Sequence, residues 1–96
     1  MAEKIAGKVK AIGPTGNLVT DIPVDRLADC PRSEQLVVWC DEHETFGLFE
    51  EERHGQEEMT LIAVLGKSGH LELAIVGDRA DLMLGISPGA PVEVRW

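Results

Sequence analysis

Leu65-Gly66-Lys67-Ser68-Gly69-His70-Leu71-Glu72-Leu73-Ala74-Ile75-Val76-Gly77-Asp78-Arg79-Ala80-Asp81-Leu82-Met83-Leu84-Gly85 compresses a tight turn, a strand, a second turn and a short capped helix into one segment. Gly66 to His70 makes a short hairpin loop with glycines available where φ must be positive. The strands it joins are predicted over 59–65 and 71–76. Asp78 is placed to cap a helix starting at Arg79, and Gly85 fits the left-handed position just past its end. On so short a helix Leu82 and Leu84 face different ways, which leaves its packing side open.

Far upstream, residues 3–12 alternate Ile5, Gly7, Val9 and Ala11 against Lys4, Ala6, Lys8 and Lys10, the period-two pattern of a half-buried strand. Gly13-Pro14-Thr15-Gly16-Asn17 is a turn by composition, and Leu18 to Ile22 reads as the returning strand. Pro23 ends it, because proline cannot donate to a ladder. Residues 24–29 are predicted to make one helical turn before Pro31. The apolar run Leu36-Val37-Val38-Trp39-Cys40 predicts a strand buried on both faces. Residues 41–58 are dense in acids around the apolar island Phe46, Leu48 and Phe49, predicting a short strand or hairpin near 45–50 and an exposed loop at 51–58. Pro88-Gly89 turns the chain into a last strand, Val92 to Trp96. Six or seven short strands with one or two short helical turns define an all-β domain, a small barrel or sandwich. No internal repeat or low-complexity tract interrupts it.

The chain has 96 residues. Such a length predicts one domain over 1–96, burying roughly 60–65% of its unfolded surface. One modest core fits; a large cleft between domains requires a partner or self-association. The formal charge of −8 and the absence of a basic cluster beyond Lys4, Lys8 and Lys10 argue against nucleic acid and anionic membranes as partners. Those three lysines read as the solvated face of a strand. No basic N-terminal start leads into an apolar run, and no run approaches ~18 apolar residues. A soluble, cytoplasmic protein is expected. Cys30 and Cys40 are too few for a disulfide scaffold, and two reduced, partly buried thiols are expected.

Two motifs carry a resemblance. One is Ile12-Gly13-Pro14-Thr15-Gly16-Asn17-Leu18-Val19-Thr20-Asp21-Ile22. The other is Ser68-Gly69-His70-Leu71-Glu72-Leu73-Ala74-Ile75-Val76-Gly77, followed by Ala80, Leu84-Gly85 and Gly89-Ala90-Pro91-Val92. In that order and separation, from about Gly7 to Val94, they resemble the C-terminal β-barrel domain of the S-adenosylmethionine hydroxide adenosyltransferases and the related fluorinating and chlorinating enzymes. The resemblance implies a small closed or partly open barrel standing without the catalytic N-terminal domain. It also implies that Asn17 matches an asparagine reading the adenine edge, for which an amide offers both a donor and an acceptor. Ser68 and the backbone at Gly69 match positions near the methionine end of the substrate. His70 matches an aromatic position of the hairpin.

Each of these residues also has a plain structural explanation. Asn17 suits a turn that tolerates left-handed φ, serine beside glycine is ordinary hairpin chemistry, and His70 can be a packing ring. Three departures from the family pattern bear on function. The aspartate that engages the charged end of the substrate falls at Gly13, the ring that stacks on adenine at Thr15, and an asparagine at Val76. Phe46 and Phe49 are rings on another loop for which a core role is expected.

Other chemistry finds less support. Cys30, Cys40, His43, His54 and His70 form no close ligand pair of the kind zinc sites show, and Asp41-Glu42-His43-Glu44 reads as a solvated loop. Ser33, Ser68 and Ser87 lie in no nucleophile elbow. The expectation is a chain without catalysis on its own, lacking a cofactor, with S-adenosylmethionine or adenosine as the candidate ligand and Asn17, Ser68, Gly69 and His70 as ligand-binding residues. The alternatives are an in-trans subunit of a split S-adenosylmethionine hydrolase and a structural oligomerisation module. The expected partner is a second copy of the chain or a separate catalytic domain, since a large bare apolar surface is uncommon.

Overall fold

The computed structural model describes residues 3–31, 33, 35–49, 59–66 and 68–96; the loop expected at 51–58 lies outside the described residues. Seven strands, β1 (Lys4–Ile12), β2 (Leu18–Pro23), β3 (Val37–Cys40), β4 (His43–Phe46), β5 (Leu61–Leu65), β6 (His70–Ile75) and β7 (Pro91–Arg95), form one sheet in the order β4-β3-β7-β1-β2-β6-β5. All ladders are antiparallel. A single 3₁₀ turn, Val24–Leu27, and one helix, α1 (Ala80–Leu84), complete the described elements.

The two edges of the sheet meet, so the strands nearly close a barrel. Thr45 of β4 donates its hydroxyl to the Leu61 carbonyl of β5 at 2.8 Å. Just beyond β4, Phe49 N–H donates to Ala63 O at 2.9 Å and Leu65 N–H to Phe49 O at 2.8 Å. Closure matters because an open edge leaves unpaired backbone groups. Thr45→Val keeps the shape of the side chain and removes the donor. The expected loss is about 1 kcal/mol, read as a lower urea midpoint with an unchanged m-value.

Alternation along the strands builds the core. Ile5 and Val9 of β1, Leu18 and Ile22 of β2, Val38 and Cys40 of β3, Leu71 and Leu73 of β6, and Val92 and Val94 of β7 point inward and are buried. The intervening Lys4, Lys8 and Lys10 are exposed, but the alternation breaks after Val9, where a register shift leaves Ala11 exposed as well. Buried Leu27, Leu36 and Leu48 add to the interior from the connections. A second, smaller cluster of Ile62, Val64 and Ala74, with Phe49 and Val76 against it, lies on the outer side of β5 and β6.

Four local expectations are corrected. β3 is not buried on both faces: Val38 and Cys40 are buried, but Val37 and Trp39 are only half-buried, because the outer face of this part of the barrel is open. The chain turns back at Asp41-Glu42, whose φ values of 43° and 77° make a two-residue turn with both residues left-handed. β4 therefore begins at His43, inside the segment read as a loop. Phe46 is 50% exposed and stands outside the core, since the inward position of β4 belongs to Thr45. The helix starts at Ala80, one residue later than expected, and the Asp78 carboxylate accepts from Arg79 N–H at 2.7 Å without capping the first turn. Gly85 does sit at φ 65° just past the helix. Ala80 is buried and Leu82 is 72% exposed, which settles the packing side.

Candidate functional site

Two turns and one strand converge outside the barrel wall. The first turn links β1 to β2: Gly13 N–H donates to Asn17 O at 2.8 Å and Gly16 N–H to Gly13 O at 2.9 Å. The turn docks on α1, where Asp81 N–H donates to Gly16 O at 3.0 Å. Arg79 forks onto the Asp81 carboxylate through two contacts of 3.1 Å. The hydrogen bonds and charge of Arg79 hold the Asp81 carboxyl below its usual range. The second turn is the β5–β6 hairpin, tied by Gly66 N–H to His70 O at 3.0 Å and Gly69 N–H to Gly66 O at 3.1 Å. Gly69 adopts φ 83°, the left-handed conformation expected for a hairpin glycine.

Between the turns stands Glu72. On β6, Leu71, Leu73 and Ile75 enter the core, so His70, Glu72 and Ala74 face outward. Glu72 lies level with Val19 of β2 and Val64 of β5 and is nevertheless only 8% exposed. Asn17 donates its Nδ2 to Glu72 Oε1 at 3.2 Å, and Ser68 donates its hydroxyl to Glu72 Oε2 at 2.8 Å. The space for the carboxylate exists because Gly66 has no side chain; a Cβ there would overlap the Glu72 carboxylate and come within 2.5 Å of its Cγ.

The structure thus brings Asn17 and Ser68 together. His70 is attached through its Nδ1, 3.1 Å from the Ser68 carbonyl, and Lys10 Nζ lies 3.4 Å from each ring nitrogen. Gly69 is exposed and contributes its carbonyl, which accepts from Val24 N–H at 3.0 Å. The residue missed by sequence reasoning is Glu72. The sequence carries only a weak sign of it: one acid between apolar neighbours in the strand, four residues after a hydroxyl donor in the hairpin. Of the positions where the family pattern is broken, Thr15 is exposed and Val76 packs with Phe49 on the outer apolar cluster. Phe49 is therefore a packing ring, as expected, while Phe46 is a surface ring.

The cysteines are free and buried, more so than expected. Cys30 donates its thiol to the Leu27 carbonyl at 3.0 Å. Burial, with the adjacent Asp41 charge adding to it, pushes the Cys40 thiol up to about 11 from 9.0. Its neutral form is the native one, so its contribution to stability is complete below pH 9. That contribution falls as the unfolded chain ionises first, through the window from 9 to about 11. Expected outcomes are a Cys40 unreactive toward a thiol reagent at neutral pH in the folded chain and a decline in melting temperature above pH 9 that Cys40→Ala reduces. Rapid labelling of the native protein at Cys40 would contradict the burial. Among the described residues no group of His, Cys, Asp and Glu side chains could hold a metal ion, and no helix is long and apolar enough to cross a membrane.

A nearly closed seven-stranded antiparallel barrel with this turn–hairpin cluster defines a class of small all-β domain. Residues 7–93 match the family described as the SAM hydroxide adenosyltransferase C-terminal domain, and the chain belongs to that family. The fold recurs among solved structures. An uncharacterized conserved protein from Thermotoga maritima is similar at a TM-score of 0.75 and 21% identity, over 93% of this chain and 35% of that one. A conserved hypothetical protein from Thermus thermophilus is similar at 0.73 and 22% identity, over 93% of this chain and 34% of that one. The chain spans about a third of the length of each. Comparison with curated proteins gives no match.

Proposed function

We propose that the chain is a non-catalytic β-barrel module whose ligand is of the adenosyl type, held by Asn17, Ser68, Gly69 and His70 around Glu72. The observation that carries this reading is the convergence of Asn17 and Ser68, from two separate turns, on one buried carboxylate. A carboxylate offers about four acceptor positions. Asn17 and Ser68 supply one donor each, so Glu72 retains capacity for a ligand bearing N–H or O–H groups, as the amino edge of adenine or a ribose does. The non-catalytic part rests on the family domain being the C-terminal one and on Gly13, Thr15 and Val76 standing where the family pattern has substrate-engaging residues.

Titration calorimetry of the chain with adenosine and with S-adenosylmethionine tests the reading. The expected result is saturable heat that Glu72→Gln weakens about tenfold, the ratio for one charge-assisted hydrogen bond of about 1.4 kcal/mol. No heat at millimolar ligand would sink it. A second reading has its own support, the one-third coverage of the similar solved structures. In it the chain acts in trans with a separately encoded catalytic domain as a split S-adenosylmethionine hydrolase. Release of adenosine by a co-expressed pair, but by neither part alone, is the expected result; inactivity of the pair overturns it.

A further inference from the structure

We propose that the outward face of β4, β3, β7 and β1 is an interface for a second copy of this chain, built around a two-fold axis running along the strands between β3 and β7. The ladder registers lay this face out as two rows. One row is Phe46, Val37, Arg95 and Lys4; the next is Glu44, Trp39, Glu93 and Ala6, with Lys8 opposite Pro91 beyond it. Apolar groups are concentrated on the β3–β4 side: Phe46 is 50% exposed and Val37 and Trp39 are half-buried. Lys4 and Arg95 both pair with Glu93. Among the described residues the side chains of Glu44 and Lys8 have no ion-pair partner.

Charge selects the occupant. The chain carries −8 overall, so two copies repel over most of their surface. This face is the exception, with Lys4, Lys8 and Arg95 against Glu44 and Glu93. The charges are also separated across it, acid on the β4 edge and base on the β1 edge. A two-fold axis along the strands lays β4 of one copy over β1 of the other and keeps the rows in step. Glu44 of each copy then falls over Ala6 of the other, between Lys4 and Lys8. Phe46 covers the apolar stem of Lys4, and Trp39 lies over the β7 row of Glu93 and Arg95. Both copies make each contact, as a self-complementary interface requires.

Barrel curvature fits the same arrangement. Two convex walls approach most closely along their middle, at β3 and β7, and diverge toward β4 and β1. Val37, Trp39, Glu93 and Arg95 fill the middle, and the long Glu44, Lys4 and Lys8 stand where a widening gap must be bridged. Four strands ~4.8 Å apart and roughly five residues long at ~3.3 Å each outline a face on the order of 300 Å² in projection. That is below the area of stable protein interfaces, so the association is weak and transient, concentration-dependent and sensitive to salt.

Sedimentation of the full chain over a concentration series tests this without reference to any ligand. The expected result is a monomer–dimer equilibrium. Glu44→Lys and Lys8→Glu, both exposed positions, are each expected to raise the dimer dissociation constant about tenfold or more, because each sets like charges opposite one another at two symmetric contacts. An equimolar mixture of the two variants is expected to recover the wild-type constant, since both contacts in the mixed dimer then join opposite charges. Phe46→Ser, checked for native circular dichroism, weakens the dimer without altering charge. A wild-type chain that stays monomeric overturns the proposal. So does a dimer that is indifferent to Glu44→Lys and Phe46→Ser, or paired charge variants that do not recover on mixing.

Discussion

Gly66→Ala is expected to lower stability by about 2–4 kcal/mol, a large part of the ~5–15 kcal/mol typical of a small domain. Backbone strain is not the reason, because Gly66 has no positive φ. The cost is contact: the new methyl takes the place of the Glu72 carboxylate, which is held from both sides by Asn17 and Ser68. Expelling it breaks both hydrogen bonds and leaves the buried Asn17 amide without one of its acceptors, and overpacking alone costs ~1–3 kcal/mol. A double-mutant cycle separates this effect from generic damage. In a Glu72→Ala background the methyl finds the space open, so Gly66→Ala should there cost under about 1 kcal/mol. Additive losses in urea unfolding would show that Gly66 and Glu72 are not coupled.

Gly16→Ala is expected to cost a similar ~2–4 kcal/mol, because overpacking and left-handed strain act together. Gly16 has φ 87°, and a Cβ built there lies 2.6 Å from Arg79 Cβ and 2.8 Å from Asp81 Oδ1. Arg79 Cβ is fixed to the backbone at the start of α1, so it cannot swing aside as the tip of a long side chain can. The turn would have to lift off the helix, losing the bond from Asp81 N–H to Gly16 O. Gly85→Ala provides the comparison. Gly85 shares the left-handed conformation at φ 65° with nothing within 4 Å of its would-be Cβ, so it carries only the conformational cost of about 1–2 kcal/mol. The excess of Gly16→Ala over Gly85→Ala measures the turn–helix contact. Equal losses would mean that the turn does not press on the helix.

Local rules carried the fold a long way. The alternation Ile5, Gly7, Val9 against Lys4, Ala6, Lys8 has a single reading, because a strand side chain can point only in or out. Turn chemistry at Gly13–Asn17 and Gly66–Gly69 specified the hairpins, since few residues accept the conformations needed there. Where local rules failed, a choice between two faces was at stake. The run Leu36–Cys40 is apolar throughout, and nothing in it tells which neighbours cover Val37 and Trp39. Asp41-Glu42 reads as a solvated loop because acids rarely announce a two-residue turn, although both adopt positive φ here.

The same division runs through the candidate site. Asn17, Ser68, Gly69 and His70 were legible by resemblance and by turn composition. Glu72 was not, because a single acid in a strand is ordinarily a solvated residue. Its burial depends on a glycine six positions earlier and on an amide contributed by a different turn. Periodicity and turn residues lying close together in the chain were enough to specify the strands, most of the hairpins and the family to which the chain belongs. The folded barrel was needed to show that Asn17 and Ser68 share one carboxylate, that Phe46 and Trp39 face outward, and that acids and bases divide across one wall. Those outcomes depend on which strands become neighbours when the barrel closes, and closure is a property of pairings between distant segments that no local pattern encodes.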